Sequence, residues 1–253
     1  MFEKMRDSWT KMVQPLVVRM GDLDPSVLTW TSLAISIVSF YLIAVAEGDS
    51  EGAMMITGAV VLVLIAGVFD ALDGALARHQ GTAGPYGDFL DHTIDRVVDV
   101  GLVVAIGYNS VFVVDPMAGW AAALLTLLGS YMGTQAQSVG LGRLYGGFSR
   151  ADRLVVTLGG LLWAAWQASS GGSGLDISSF HEYAHWALLG NAELNGMTLA
   201  LAVSFWGGVY TFVVRFMETR KQLMANCAGA HNGPKGPNRY GKHYPCLECQ
   251  RCV

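Results

Sequence analysis

Asp70-Ala-Leu-Asp73-Gly74-Ala-Leu-Ala77-Arg78 is followed, after an interval of eight residues, by Gly87-Asp88-Phe-Leu-Asp91-His92-Thr-Ile-Asp95. Five acids therefore crowd into a stretch that begins directly after the apolar run Ala59-Val-Val-Leu-Val-Leu-Ile-Ala-Gly-Val-Phe69. That run has the character of a membrane helix. A carboxylate at bilayer depth is expensive, so its presence there points to function.

The spacing of the acids is as informative as their number. Asp70 and Asp73 are three apart, and Asp91 and Asp95 are four apart, so on helices each pair shares a face. Gly81, Gly84, Pro85 and Gly87 lie between the pairs and read as a turn. Two antiparallel helices joined there would aim four carboxylates into one gap. So many like charges stay ionised together only around a cation. An all-oxygen donor set suits Mg2+, Mn2+ or Ca2+. Arg78, about one turn beyond Asp73, is placed to clamp a phosphate through two parallel N–H groups. Gly74 and Gly87 leave room for a nucleotide or a neighbouring helix to approach closely.

This stretch resembles the signature of the CDP-alcohol phosphotransferase family, D-x2-D-G-x2-A-R-x8-G-x3-D-x3-D. Every fixed position is filled, by Asp70, Asp73, Gly74, Ala77, Arg78, Gly87, Asp91 and Asp95. The resemblance implies a six-helix membrane enzyme that transfers a phosphatidyl-type group from a CDP-linked lipid to an alcohol and releases CMP. It implies a metal site of Asp70, Asp73, Asp91 and Asp95, holding two Mg2+ or Mn2+ ions, with Asp95 as general base. It implies a CDP and diphosphate site made by Asp70, Gly74, Arg78 and Gly87, and it implies a homodimer.

The rest of the chain agrees with an all-α polytopic membrane protein. Of 253 residues, 52% are hydrophobic and 14% charged, which is not the balance of an ordinary soluble domain. A net charge of −4 does not suggest a nucleic-acid partner. Six apolar stretches, about 27–46, 53–77, 89–112, 117–138, 153–169 and 197–218, each approach the roughly 20 residues needed to cross a bilayer. All 16 Lys and Arg avoid the connections 47–52, 113–116 and 170–196. The positive-inside rule then places both termini and the acidic site in the cytoplasm of a multi-pass cell-membrane protein. Residues 21–225 are expected to form the membrane domain.

Residues 1–20 carry Phe2, Met5, Trp9, Met12 and Leu16 at helical spacing, as in an amphipathic helix lying in the membrane interface, with Pro15 expected to kink or end it. Asp24-Pro25-Ser26 opens the first span. The family often has Ser-Pro-Asn, two residues, then Thr at this entry, where it helps hold the nucleotide. Pro25 and Thr29 match it, whereas Asp24 and Ser26 depart.

Arg143, Arg150 and Arg153 lie between the fourth and fifth spans, and Arg215 lies near the end of the sixth. They serve topology alone or form an anion pocket for a phosphorylated acceptor. Ser149-Arg150-Ala-Asp152-Arg153-Leu resembles a Glu-Arg-x-Glu-Arg-Leu-like segment of the phosphatidylinositol-phosphate and archaetidylinositol-phosphate synthase branch, with Ser149 departing from the acid. Inositol 1-phosphate is the first expectation for the acceptor and glycerol 3-phosphate the second; the lipid is CDP-diacylglycerol or CDP-archaeol. Asp88 and Asp99 fit ligand spacing but are expected at the rim, Asp99 as a partner of Arg96. His92 is expected to pack or support rather than ligate.

Residues 170–196 read as an external loop with a short interfacial helix near His181–Leu189. Residues 226–253 read as a cytoplasmic Cys-rich tail. Cys246-x2-Cys249-x2-Cys252 has ligand spacing, with His243, His231 or Cys227 as a fourth ligand for zinc. Iron–sulfur binding and a disordered tail with free thiols are the alternatives. Two other functions compete with the enzyme. A divalent-cation transporter also buries carboxylates in a bundle, but has no need of Gly74, Ala77, Arg78 and Gly87 at these offsets. A membrane anchor for the tail leaves the paired acids unexplained.

Overall fold

The acidic stretch lies on two members of a ring of helices. The computed structural model describes residues 13–142, 144, 146–172, 174–177, 187–190 and 193–225, with the backbone of the last helix followed to residue 230. Helix α1 covers 13–20. It is followed by α2 (Pro25–Val45), α3 (Ser50–Gln80), α4 (Pro85–Tyr108), α5 (Met117–Ser138), α6 (Arg150–Ser170) and α7 (Gly196–Ala230). Each expected span is a helix. Three of them, α2, α3 and α7, are long and apolar enough to cross a membrane by length and composition alone. The acids of α4 dilute its hydropathy.

Packing closes the six long helices into a ring in the order α2–α3–α6–α7–α5–α4 and back to α2. Small residues let the backbones approach. A Cβ on Gly107 of α4 would lie 2.5 Å from the Cα of Gly119 of α5, and one on Gly196 of α7 would lie 2.0 Å from the carbonyl oxygen of Gly160 of α6. Ile43, Ile56, Ile106, Leu161, Met197 and Leu201 fill the interior. Outside, Trp30, Tyr41, Leu64, Leu124, Trp166 and Tyr210 stand exposed around the ring. Apolar surface on that scale requires a nonaqueous surrounding.

Local chemistry sets the helix ends. The third span begins four residues earlier than expected because Pro85 is well suited to a first helical turn, so Gly87 lies inside α4 rather than in the turn. It ends earlier because Asn109 is a fully buried clamp. Its Nδ2 donates to the carbonyls of Ile43 (2.8 Å) and Ala46 (2.9 Å), and its Oδ1 accepts from the amides of Val111 and Phe112. Helix α3 ends at Gly81, whose φ of 71° is the left-handed conformation favoured by glycine. Helix α6 begins at a reciprocal capping box between Ser149 and Asp152.

Three expectations need correction or limit. Helix α1 runs through Pro15 and stops at Gly21, with φ 58°, so the proline does not end it. Val13 and Val17 pack α1 onto Leu28, Leu72 and Leu76, while Leu16 faces outward. Helix α7 continues to Ala230, past the expected start of the tail at 226. The fold is all-α, with one short pairing among the described residues, Leu175–Asp176 (β1) antiparallel to Glu193–Leu194 (β2). Residues 1–12 and 231–253, with His243, Cys246, Cys249 and Cys252, lie outside the described residues, as do Arg143, His181 and His185.

Candidate active site

Helix α3 is 31 residues long, about 46 Å at 1.5 Å per residue. Asp70 therefore lies about 30 Å along the helix from Ser50, roughly the thickness of the hydrocarbon core. The acids occupy the final third of the helix, beyond the apolar part. Helices α3 and α4 are consecutive, yet α2 packs against both of them, and the two do not pack along their lengths. That splay opens the gap into which their carboxylates project.

Asp70, Asp91 and Asp95 each bring a carboxylate oxygen to within 4.8 Å of the others. All three are partly buried. Oxygen donors at this separation fit a hard divalent cation. Asp73 is buried beside them and accepts a 2.5 Å hydrogen bond from the hydroxyl of Thr29 on α2. Thr29, expected as a nucleotide contact, thus spends its hydroxyl on Asp73.

A cavity of about 920 Å³ opens on one side of the cluster. Asp70, Asp73, Gly74, Arg78, Gly87 and Asp91 are in its wall, with Thr29. A Cβ on Gly87 would meet nothing within 4 Å, so the missing side chain widens the cavity. One on Gly74 would lie 3.2 Å from Nη1 of Arg78. The glycine therefore lets the guanidinium fold back along its own helix. Gln80 Nε2 donates to the carbonyls of Gly21 and Leu23, both at 2.9 Å, and ties the chain before α2 to the end of α3 at the cavity rim. Asp88 lines the cavity, as the rim reading expected. His92 Nδ1 lies 3.4 Å from Asp91 on an exposed surface, beside the ligand face rather than in it.

The other side of the cluster is basic. Arg150, the first residue of α6, places Nη2 2.7 Å and Nη1 3.9 Å from Asp95 Oδ1 and Asp70 Oδ2, respectively, and its Nε donates to Asp99 at 3.1 Å. Asp99 also accepts from Arg153 Nη2 at 3.2 Å and pairs with Arg96 at 3.5 Å. The expected Arg96 partnership is present, but Asp99 is the hub of three arginines. Arg96 also donates to the hydroxyl of Ser130. Arg215 of α7 donates to the carbonyls of Gly129 (2.8 Å) and Gly146 (3.3 Å), within electrostatic reach of Arg153 and Arg96. It borders a second cavity of about 990 Å³ with Gly146, Arg220 and Lys221. The structure thus leaves Arg215 within electrostatic reach of Arg153 but turns Arg150 toward the carboxylates. The signal for this was the Ser149-x-x-Asp152 capping box, which puts Arg150 on the helix instead of in a loop.

A family model described as CDP-alcohol phosphatidyltransferase matches residues 23–187. The chain belongs to that family. As a CDP-alcohol phosphatidyltransferase it is a membrane transferase of phospholipid synthesis, and its acidic cluster is of a metal-binding kind. It is 29% identical over 221 residues to a phosphatidylinositol phosphate synthase of Corynebacterium glutamicum, covering 85% of this chain and 86% of that one. It is 29% identical over 158 residues to an archaetidylinositol phosphate synthase of Methanothermobacter thermautotrophicus, covering 62% of this chain and 80% of that one. Its fold is that of Mycobacterium tuberculosis phosphatidylinositol phosphate synthase. The structure of that enzyme with CDP-DAG bound matches at a TM-score of 0.57 and 22% identity, covering 83% of this chain and 92% of that one. Its complex with manganese and citrate matches at a TM-score of 0.59 and 21% identity, covering 83% and 88%.

Proposed function

We propose that this CDP-alcohol phosphatidyltransferase moves the phosphatidyl-type group of CDP-diacylglycerol or CDP-archaeol to the hydroxyl of a phosphorylated alcohol, inositol 1-phosphate before glycerol 3-phosphate. The observation that carries the reading is the position of the carboxylate cluster. On one side is the cavity bordered by Asp70, Asp73, Arg78 and Gly87; on the other stand Arg96, Arg150, Arg153 and Arg215.

Asp70, Asp73, Asp91 and Asp95 would hold Mg2+ or Mn2+. When bound, the ions neutralise diphosphate charge and make CMP a better leaving group. Arg78 binds diphosphate oxygens from the cavity wall, and Gly87 admits the nucleotide. Asp95 is the carboxylate next to the arginines, so it is the one within reach of an acceptor held by its phosphate. It takes the acceptor's hydroxyl proton as the oxygen attacks the lipid-side phosphorus. A P–O bond to the acceptor forms, the P–O bond to CMP breaks, and a phosphodiester lipid is left in the membrane. Arg153 and Arg215 select for the acceptor phosphate, which a plain alcohol such as serine lacks.

The same reading takes α2 to α7 as six spans of the cell membrane, with residues 1–20 at the interface, both termini and the site in the cytoplasm, and the enzyme a homodimer. An arginine inside the carboxylate cluster argues against a cation-transport path. The test is CMP release by the purified protein with CDP-lipid and Mg2+ or Mn2+, with inositol 1-phosphate, glycerol 3-phosphate, inositol and serine offered in parallel. Release with a phosphorylated acceptor is expected. Release with the unphosphorylated acceptors alone would overturn the arginine pocket.

A further inference from the structure

We propose that Arg150 is a positioning residue that competes with the divalent cation for Asp95 and gives way when an anion binds beside it, so that the acceptor phosphate prepares the metal centre. This rests on the reading of Asp70, Asp91 and Asp95 as metal ligands.

The geometry is specific. Asp70 and Asp95, two of the three clustered carboxylates, both face the Arg150 guanidinium, at 3.9 and 2.7 Å. A guanidinium and a divalent cation cannot both neutralise one carboxylate without repelling each other. The Asp95 contact is close but undirected: Oδ1 is buried and accepts no hydrogen bond of proper geometry, although Arg150 Nη2 is its near neighbour. The directed bond of Arg150 goes from Nε to Asp99. Arg150 is thus anchored by Asp99 and leans on Asp95. The side chain is partly exposed and sits on the first residue of α6. Its neighbours Arg96 and Arg153 share Asp99 with it. Arg96 also lies 3.9 Å from Asp95, and a phosphate arriving among these guanidiniums would compete with the carboxylates for them and draw that of Arg150 away from Asp95.

The experiment measures Mn2+ binding to the full chain in detergent by electron paramagnetic resonance, with and without inositol 1-phosphate and with Mn2+ binding by that ligand itself subtracted. Arg150→Gln is expected to bind Mn2+ about tenfold more tightly than wild type, because a competing charge is gone. Inositol 1-phosphate is expected to tighten Mn2+ binding in wild type and to have little effect in the variant. Arg150→Lys, which keeps the charge, should stay near wild type. Arg150→Met, neutral with a similar stem, replaces the Gln variant if that one does not fold. A purely structural Arg150 would give unchanged or weaker Mn2+ binding in a folded neutral variant, and that result overturns the coupling alone. A wild-type protein that binds no Mn2+ overturns the metal reading and the coupling with it.

Discussion

Thr29 on α2 and Asp73 on α3, 44 residues apart in sequence, are joined by a 2.5 Å hydrogen bond at the wall of the cavity. The bond aims a buried carboxylate whose neighbours are also acids. Without its donor, Asp73 is left buried and short of a partner, a loss of about 1–3 kcal/mol. Thr29→Val should therefore lower the melting temperature and raise the KM for CDP-lipid, while Thr29→Ser restores both. Thermal melting and CMP-release kinetics on the two variants check this.

Asp95 stands on the arginine side of the cluster, apart from the cavity wall that Asp70, Asp73 and Asp91 help to form. Asp95→Asn keeps shape and hydrogen-bonding size but cannot take a proton. Turnover should fall by about 10²–10⁴-fold, with binding of the CDP-lipid retained. Near-normal turnover in this variant would remove the base assignment.

Gly87 separates fold from function by sign. An alanine there meets no atom within 4 Å and sits in a helix, so it should stabilise the protein by up to about 1 kcal/mol. The same methyl projects toward the nucleotide cavity and should weaken CDP-lipid binding. A variant that melts higher and binds the lipid less tightly is the expected pair of results. Unchanged affinity would mean that the nucleotide does not approach this face.

Asp99 holds Arg96, Arg150 and Arg153 together. Asp99→Asn removes the charge that all three share; Arg150 and Arg96 still have Asp95, but Arg153 loses its carboxylate. Breaking a fully buried ion pair costs about 3–5 kcal/mol; here Arg96 and Arg150 are partly exposed, so the cost is smaller and the variant should melt below wild type. Added inorganic phosphate should recover part of that stability by taking the place of the lost charge. A melting temperature unmoved by the substitution would show that the arginines are held by other contacts.

Much of this arrangement is legible in the sequence. Asp70/Asp73 and Asp91/Asp95 are helix-spaced pairs, and α3 and α4 do bring three of those acids together. The six apolar stretches are helices, and three of them, α2, α3 and α7, are long and apolar enough to cross a membrane, where a helix satisfies its own backbone. What the spacing could not reveal is partnership at a distance. It expected α3 and α4 to pack as a hairpin, whereas α2 packs against both. The family resemblance placed Thr29 at the nucleotide; it is in the cavity wall, with its hydroxyl on Asp73. The spacing grouped Arg150 with Arg153 and Arg215, whereas the capping box carries Arg150 to Asp95. Each of these depends on which helices become neighbours, and ring order is a property of small-residue crossings such as Gly107–Gly119 and Gly160–Gly196, not of helical periodicity.

The most direct test of the account is CMP release from CDP-diacylglycerol with inositol 1-phosphate, measured with Mn2+, with chelator, and with Mn2+ restored. The account predicts release that stops on chelation, returns with the metal, and is absent in Asp70→Asn and Asp91→Asn under all three conditions. Release that persists in chelator, or that survives loss of either carboxylate, would contradict it.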